Sequence, residues 1–387
     1  MKASLRYTLL SILLVLSTAT VSAWDWGAMI TNDSKFAGKD FSNLLLDQKN
    51  AASAWLRIPF NAKGTSYFIT EGMFQFEQKD IKMGDTEGKK RNANAINLNL
   101  FKFAFSWKTG RNQISISAGR FLTTDLSGLI FTQAADGALV SFDFRKVVLS
   151  AYVAYTGLLN TRTVTMIGTS VTEDDSKVYQ RADDYLVEAL TVSFPNLFAG
   201  QTLSLQYFGA LHLKNDFDDT RIYAEASLAG PLTTTLFYNV SGTLGLLKKG
   251  DNDLKTAGLG RLTVAYYAPV KSLTIGLNGV FASKDFLGFT SQTATNALTG
   301  RTEYTELAKA GLFLTIKPVQ NLLLGANGDL ILNAADGIEY EGFQYGLNAN
   351  WQIVSDVSVG GTFYQYFDNK DSNRNKSCIQ LKAAISL

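Results

Sequence analysis

Apolar and polar residues alternate along most of the chain, and the alternation runs to its last residue. Leu203-Ser204-Leu205-Gln206-Tyr207 follows it, and so does Leu273-Thr274-Ile275-Gly276-Leu277-Asn278. From Phe343 to Trp351 it persists for about nine positions, the length a tilted strand needs to cross a hydrocarbon layer. A period of two marks strands with two unlike faces. The breaks predict strands near residues 24–33, 52–60, 65–79, 92–107, 111–121, 136–145, 146–157, 181–195, 200–212, 219–229, 232–245, 255–268, 271–283, 301–317, 320–333, 338–352, 354–367 and 376–387. That is about eighteen, with sixteen allowed by the same pattern.

The connections alternate in length. Short ones fall near 61–64, 108–110, 145–146, 196–199, 230–231, 269–270, 318–319 and 353. Longer, mostly polar ones fall near 34–51, 80–91, 122–135, 158–180, 213–218, 246–254, 284–300, 334–337 and 368–375. One rim of tight turns facing one rim of long loops is the asymmetry of an antiparallel transmembrane barrel. Pro59, Pro195, Pro231, Pro269 and Pro318 all fall at or beside a short turn, where a residue that cannot donate to a ladder is tolerated. Phe60, Trp107, Phe142, Phe144, Phe194, Phe198, Tyr266, Tyr267 and Trp351 gather near the same rim, as an interfacial aromatic belt would. Two places strain the pattern. The apolar phase slips by one at Leu100-Phe101, which predicts a bulge, and Glu188 falls on the apolar phase between Leu186 and Leu190.

The N-terminus bears on where such a barrel would go. Lys2 and Arg6 precede an apolar run, Leu9 to Leu16, and Val21-Ser22-Ala23 supplies small residues for cleavage. Residues 1–23 therefore read as an export signal and 24–387 as one domain. After the signal no stretch reaches the ~18 apolar residues of a spanning helix. In lipid that leaves only a closed barrel, which pairs all its backbone polar groups. The single Cys378 forms no disulfide within the chain, and a net charge of +2 gives no broad footprint for nucleic acid. The fold class expected is all-β, a single transmembrane barrel with short periplasmic turns and long external loops.

The last strand adds a resemblance. Ile379, Leu381, Ala383, Ile385 and Leu387 alternate with more polar neighbours, and the sequence stops there. This resembles the terminal strand of bacterial outer-membrane proteins, which the barrel assembly machinery recognises; Leu387 stands where that family usually has an aromatic residue. Segment 122–135, apolar at Leu129-Ile130-Phe131, resembles in position the inward-folded third loop of bacterial porins. The resemblance implies an outer-membrane location in a Gram-negative-type envelope and an open path narrowed by inward loops. It further implies that Asp125 and Asp136 face the constriction, opposite Arg57 or Arg145.

About eighteen strands enclose a lumen too wide for side chains to fill. By alternation its wall carries Arg57, Lys102, Arg145, Arg221, Arg261, Lys309 and Lys382 beside Asp25, Glu71, Glu77, Asp143, Glu225 and Asp329. Mixed signs favour weak ion selectivity, although such charges can also pair across strands and stiffen the wall. Catalysis has little to stand on: His212 is the only histidine, and a rim position beside Asp216, Asp218 and Asp219 explains it. Those acids, or Glu173-Asp174-Asp175, could hold Ca²⁺, though acidic external loops are usually just solvated. No cofactor is expected. The leading reading is passive diffusion of small hydrophilic solutes through a porin, with a homotrimer compatible with it. The rivals are a substrate-specific channel, for which Phe313, Tyr364 and Tyr366 would form an aromatic track, and a surface adhesin or structural barrel using loop 158–180.

Overall fold

The computed structural model describes residues 24–39, 44–82, 91–164, 166–167, 171–213, 219–250, 252–290 and 305–387. Residues 1–23, the expected export signal, and residues 214–218, with Asp216 and Asp218, lie outside them. Among the described residues the chain forms eighteen strands: β1 (Asp25–Gly38), β2 (Leu45–Pro59), β3 (Tyr67–Lys82), β4 (Arg91–Thr109), β5 (Asn112–Thr124), β6 (Thr132–Asp143), β7 (Val148–Tyr155), β8 (Tyr185–Phe198), β9 (Gln201–His212), β10 (Asp219–Pro231), β11 (Leu236–Lys249), β12 (Lys255–Ala268), β13 (Leu273–Ala282), β14 (Leu307–Val319), β15 (Leu322–Asn333), β16 (Glu339–Val354), β17 (Val357–Asp368) and β18 (Lys376–Ser386). Each pairs antiparallel with its neighbours in sequence, and β1 pairs with β18, so the sheet closes and leaves no edge.

Residues paired across strands share a face, so the register fixes which side chains point inward. Asp33 faces Lys49 and Lys382, and Glu225 faces Gln206 and Thr243; these look into the barrel. The opposite phase carries Phe101, Phe103, Phe105, Leu190, Leu205, Leu244, Leu277, Leu312, Leu347 and Leu381, all exposed. Near the tight-turn rim Trp26, Trp107, Phe142, Tyr266 and Trp351 are exposed on that outer surface. An apolar band bounded by aromatics is the surface of a barrel seated in lipid.

The strain points resolve locally. Glu71 pairs with Leu100 and Gly72 with Leu98, so Asn99 is an extra residue and the expected bulge is present. Pro195 and Pro318 lie inside strand ends, where the register breaks between Phe194 and Phe198 and between Ile316 and Val319. Glu188 keeps its outward phase, and its carboxylate accepts a hydrogen bond from the Tyr207 hydroxyl across the strand pair, 2.7 Å. The connection expected at 122–135 is shorter, 125–131, because β5 and β6 run further.

Candidate functional site

The lumen is narrowed by its own loops. β4 pairs with β5 only from Phe101↔Arg120 downward, while it stays paired with β3 up to Arg91. Above that level the β5–β6 hairpin leaves the wall and crosses the interior. The departure point is Gly119, at φ +114, where a Cβ would collide with the Phe101 carbonyl; only glycine makes this turn without strain. At the hairpin tip, Leu126 N–H donates to Gln206 of β9 (3.0 Å) and Ser127 N–H to Glu225 of β10 (3.3 Å). Arg261 of β12 donates to the Ser127 carbonyl, 2.7 Å. Asp125 shapes the tip, accepting from the backbone N–H groups of Ser127, Ile130 and Phe131 and from the Ser127 hydroxyl. Phe131 packs at a tilt against Phe208 and Phe289.

Residues 283–290 join this interior layer. Phe286 and Phe289 are buried, and Phe289 N–H donates to Ile130 O, 2.8 Å. Arg221, fully buried, ties the layer to the wall. It donates to both Asp219 oxygens (3.0 and 2.6 Å), to Gly288 O (2.8 Å) and to Ile167 O (2.9 Å). An apolar core thus lies inside the barrel, mostly against β7–β13 and including Leu307, Ile331, Tyr366 and Cys378.

A third segment closes the gap left by the hairpin. Ile96 of β4, without β5 beside it, donates to Val178 O (3.1 Å), while Asn160 donates to Ile96 O (2.9 Å). Arg120 fills the seam: it holds Asp136 through two bonds (2.9 and 2.6 Å) and donates to Leu98 O and Leu158 O. Leu158, Asn160 and Val178, in the loop 158–180 that the adhesin alternative would use, are therefore bonded to β4 and Arg120.

What stays open is a cavity of about 990 Å³ between this layer and β1–β4 and β15–β18. Amide side chains border it at Gln75, Asn97, Asn99, Gln133, Gln320, Asn321, Asn350 and Gln352. The charged groups are Asp33, Lys49, Arg120, Lys317 and Lys382, and Lys382 lies 3.7 Å from Asp33.

The charges expected along the path are mostly engaged elsewhere. Asp136 pairs with Arg120 rather than with Arg57 or Arg145, and Asp125 serves its own backbone. Arg57 binds Asp25 (3.3 Å) and Gly64 O (2.9 Å) near the tight-turn rim. Asp143 and Arg145 form a short turn, Arg145 N–H donating to Asp143 at 2.7 Å. Glu71 accepts from Asn99, 2.9 Å, and Lys102 lies over the Phe121 ring. Lys309 stands 3.7 Å from Asp329. Arg221, Glu225 and Asp329 are buried, Glu225 beneath the hairpin tip that Arg261 also holds. Of this set, Lys382 borders the cavity. Of the aromatic track, Tyr366 is buried against Asp368, 3.2 Å.

The acidic stretch 173–175 is neutralised by cations. Asp175 binds Arg91 and Arg162 (both 2.9 Å), Glu173 lies near Arg162 and Lys79, and Asp174 pairs with Lys177. Hydrogen bonds from Arg91 first, then Arg162, hold Asp175 down at about 2. His212 packs against Tyr185, whose hydroxyl donates to Asp219.

Sequence reasoning missed Arg120, Lys49 and Asp33 at the cavity. Arg120 falls on the outward phase of β5; the available signal was the glycine before it inside a strand pattern.

No protein-family model and no curated protein matches the sequence. Solved structures do match in fold. Pseudomonas aeruginosa OpdK, solved with vanillate, aligns with TM-score 0.61 at 12% identity over 94% of this chain and 98% of that one. P. aeruginosa OccK11 (OpdR) gives 0.59 at 12% identity over 94% and 96%. P. aeruginosa OpdQ gives 0.58 at 11% identity over 95% and 99%. The chain thus has the fold of these Pseudomonas proteins, an eighteen-stranded antiparallel barrel matched over nearly its full length.

Proposed function

We propose that the protein is an outer-membrane channel passing small hydrophilic solutes by passive diffusion through a narrowed lumen. One observation carries this reading. Loops docked inside a closed barrel leave a cavity of about 990 Å³, bordered by several amide and charged side chains, along one half of the wall. A wall that needed only rigidity would gain nothing from keeping such a space open. The narrowing favours a selective channel over a wide general pore, because solutes must pass side chains that can bind them.

The apolar outer band supports a seat in lipid, and residues 1–23 support export to the outer membrane. Segment 376–387 is the proposed signal for the barrel assembly machinery. A homotrimer is the proposed assembly. On the outer surface of β1 and β2, Asn32 donates to Asn50 (2.7 Å) and Ser34 to Asn32 (3.1 Å), a polar cluster that favours protein cover over lipid.

The test is single-channel recording of the refolded mature protein in a planar bilayer, with reversal potential across a salt gradient. Discrete steps with weak ion selectivity are expected. Absence of current from protein shown to be folded and inserted would overturn the channel reading.

A further inference from the structure

The tight-turn rim carries cations that the protein does not itself neutralise. We propose that the turns joining β2–β3, β4–β5 and β6–β7 form a binding surface for the anionic phospholipid headgroups of the leaflet they border. On the reading above, in which the tight turns face the periplasm, that leaflet is the inner one of the outer membrane.

These three turns follow one another along the rim, because β3 pairs with β4 and β5 with β6. They bring Lys63, Lys108, Arg111, Arg145 and Lys146 onto one arc, all exposed. Among the described residues none of these five side chains has a hydrogen-bond or ion-pair partner. The acids nearby are already engaged: Asp143 accepts from the Arg145 backbone N–H at 2.7 Å, and Asp25 holds Arg57 at 3.3 Å. The long-loop rim is different. There Arg91 and Arg162 hold Asp175, Lys255 holds Asp285, and Lys370 holds Glu339. Clustered cations without a counter-charge repel one another, and an external anion relieves that repulsion.

The backbone keeps one of these charges at a cost. Arg145 sits at φ +71 in the turn between β6 and β7, a left-handed conformation that glycine or asparagine adopts more easily. Backbone bonds close this turn, Phe144 N–H to Val147 O and Lys146 N–H to Phe144 O, both 2.9 Å. Its shape therefore makes no use of the arginine side chain.

The depth of the patch favours lipid over a partner in the aqueous space. Trp107 precedes Lys108 and Phe144 precedes Arg145, and both rings are exposed. Phe144 stacks on Phe142 of the outer belt, centroids 6.3 Å apart. Such rings lie at headgroup level. The turns are too short to carry the cations far from it. The β4–β5 ladder runs to Thr109↔Asn112, leaving only Gly110 and Arg111 as the turn, and the β6–β7 ladder runs to Asp143↔Val148. Lysine and arginine stems lie along apolar surface and hold the charge at the polar boundary, where phosphodiester groups accept their N–H donors.

The experiment is fluorescence quenching of the mature barrel in phosphatidylcholine vesicles that contain either brominated phosphatidylglycerol or brominated phosphatidylcholine. The Trp107 signal is the difference between the protein and Trp107→Phe. Quenching by the anionic lipid should exceed quenching by the zwitterionic one, and the excess should shrink at high salt. Arg145→Asn relieves turn strain rather than adding it, yet should lower the relative affinity for phosphatidylglycerol up to roughly fivefold, the effect of one interfacial cation. Lys108→Gln, Arg111→Gln and Arg145→Asn together should abolish the preference. Equal quenching by both lipids, or a preference unchanged in the variants, would overturn the proposal. So would retention of wild type but not of the triple variant on purified peptidoglycan without any lipid preference, which would assign the patch to the wall polymer. Ion current from the same preparations separates this surface from the channel: current without lipid preference overturns the proposal alone, and lipid preference without current supports it while removing the channel. For the leaflet, Lys63→Cys in intact cells should react with a maleimide too large for the lumen only after the outer membrane is opened; labelling before that would overturn the assignment to the inner leaflet.

Discussion

Arg221 gives the sharpest test of the view that a barrel and an interior layer are separate, coupled parts. Its guanidinium is fully buried and makes two bonds to Asp219 and one each to Gly288 O and Ile167 O. Replacing it by methionine keeps much of the volume but strands a buried carboxylate, at a cost of about 3–5 kcal/mol. Two carbonyls lose their donor as well, each worth about 1–3 kcal/mol in overlapping measure. A combined loss near 5 kcal/mol shifts the docked-to-released ratio of the interior layer by roughly 10³–10⁴. The ladder of the barrel does not run through Arg221 side-chain atoms, so closure should survive. Arg221→Met should migrate as a folded barrel on unheated gels yet give larger or noisier single-channel steps. Adding Asp219→Leu removes the stranded charge and should restore much of the quiet state. Restoration should be partial, because Tyr185 then loses its acceptor. Quiet steps of wild-type size from Arg221→Met would refute the reasoning.

Three further outcomes are expected. Gly119→Val places a side chain at φ +114 against the Phe101 carbonyl; strain of about 1–3 kcal/mol should loosen the hairpin, read as increased current noise with the barrel intact. Tyr207→Phe leaves the outward Glu188 carboxyl without its donor and should lower barrel stability by about 1–3 kcal/mol, whereas Tyr207→Phe with Glu188→Leu should regain it; equal urea midpoints in liposomes for wild type and Tyr207→Phe would contradict the pairing. The clamp of Asp175 on Arg91 and Arg162 has a pH window of known sign: its carboxyl is depressed to about 2 from 3.8, so the stabilisation is complete above the ordinary value and is lost as pH falls through about 2. Acid protease should therefore cut segment 171–181 readily only near or below pH 2, and cleavage at pH 4 matching that at pH 2 would count against the clamp.

The wall was legible because lipid and lumen impose opposite demands on successive side chains. Ile379, Leu381, Ala383 and Ile385 had to face one way, and Gln380 and Lys382 the other, whatever the remainder of the chain did. The phase slip at Leu100-Phe101 showed the bulge for the same reason: one extra residue, Asn99, moves every later side chain to the other face. The prolines marked the tight-turn rim because backbone donors are scarce there. Strand ends were less visible. β5 and β6 extend by pairing Thr124 with Thr132, and polar threonines carry no signal that separates a strand from a loop.

The cavity was hidden by a failure of the same rule that revealed the wall. Alternation assigns a side chain to lumen or lipid only while its strand stays in the wall. Once the β5–β6 hairpin turns inward at Gly119, both its faces are interior. Phe121 then packs toward Tyr152, and Arg120, nominally outward, reaches the seam and borders the cavity. The inward phase fails in the complementary way: Arg221 and Glu225 do point into the barrel, but loops from distant sequence engage them, while Asp329 is buried beside Lys309 and Asn327 of the wall. Ser127 reaches Glu225 across 98 residues and Thr132 reaches Thr290 across 158, separations that no local period encodes. Lining chemistry is therefore readable from sequence only on stretches of strand that stay in the wall and border the cavity, most of them on β1–β4 and β15–β18.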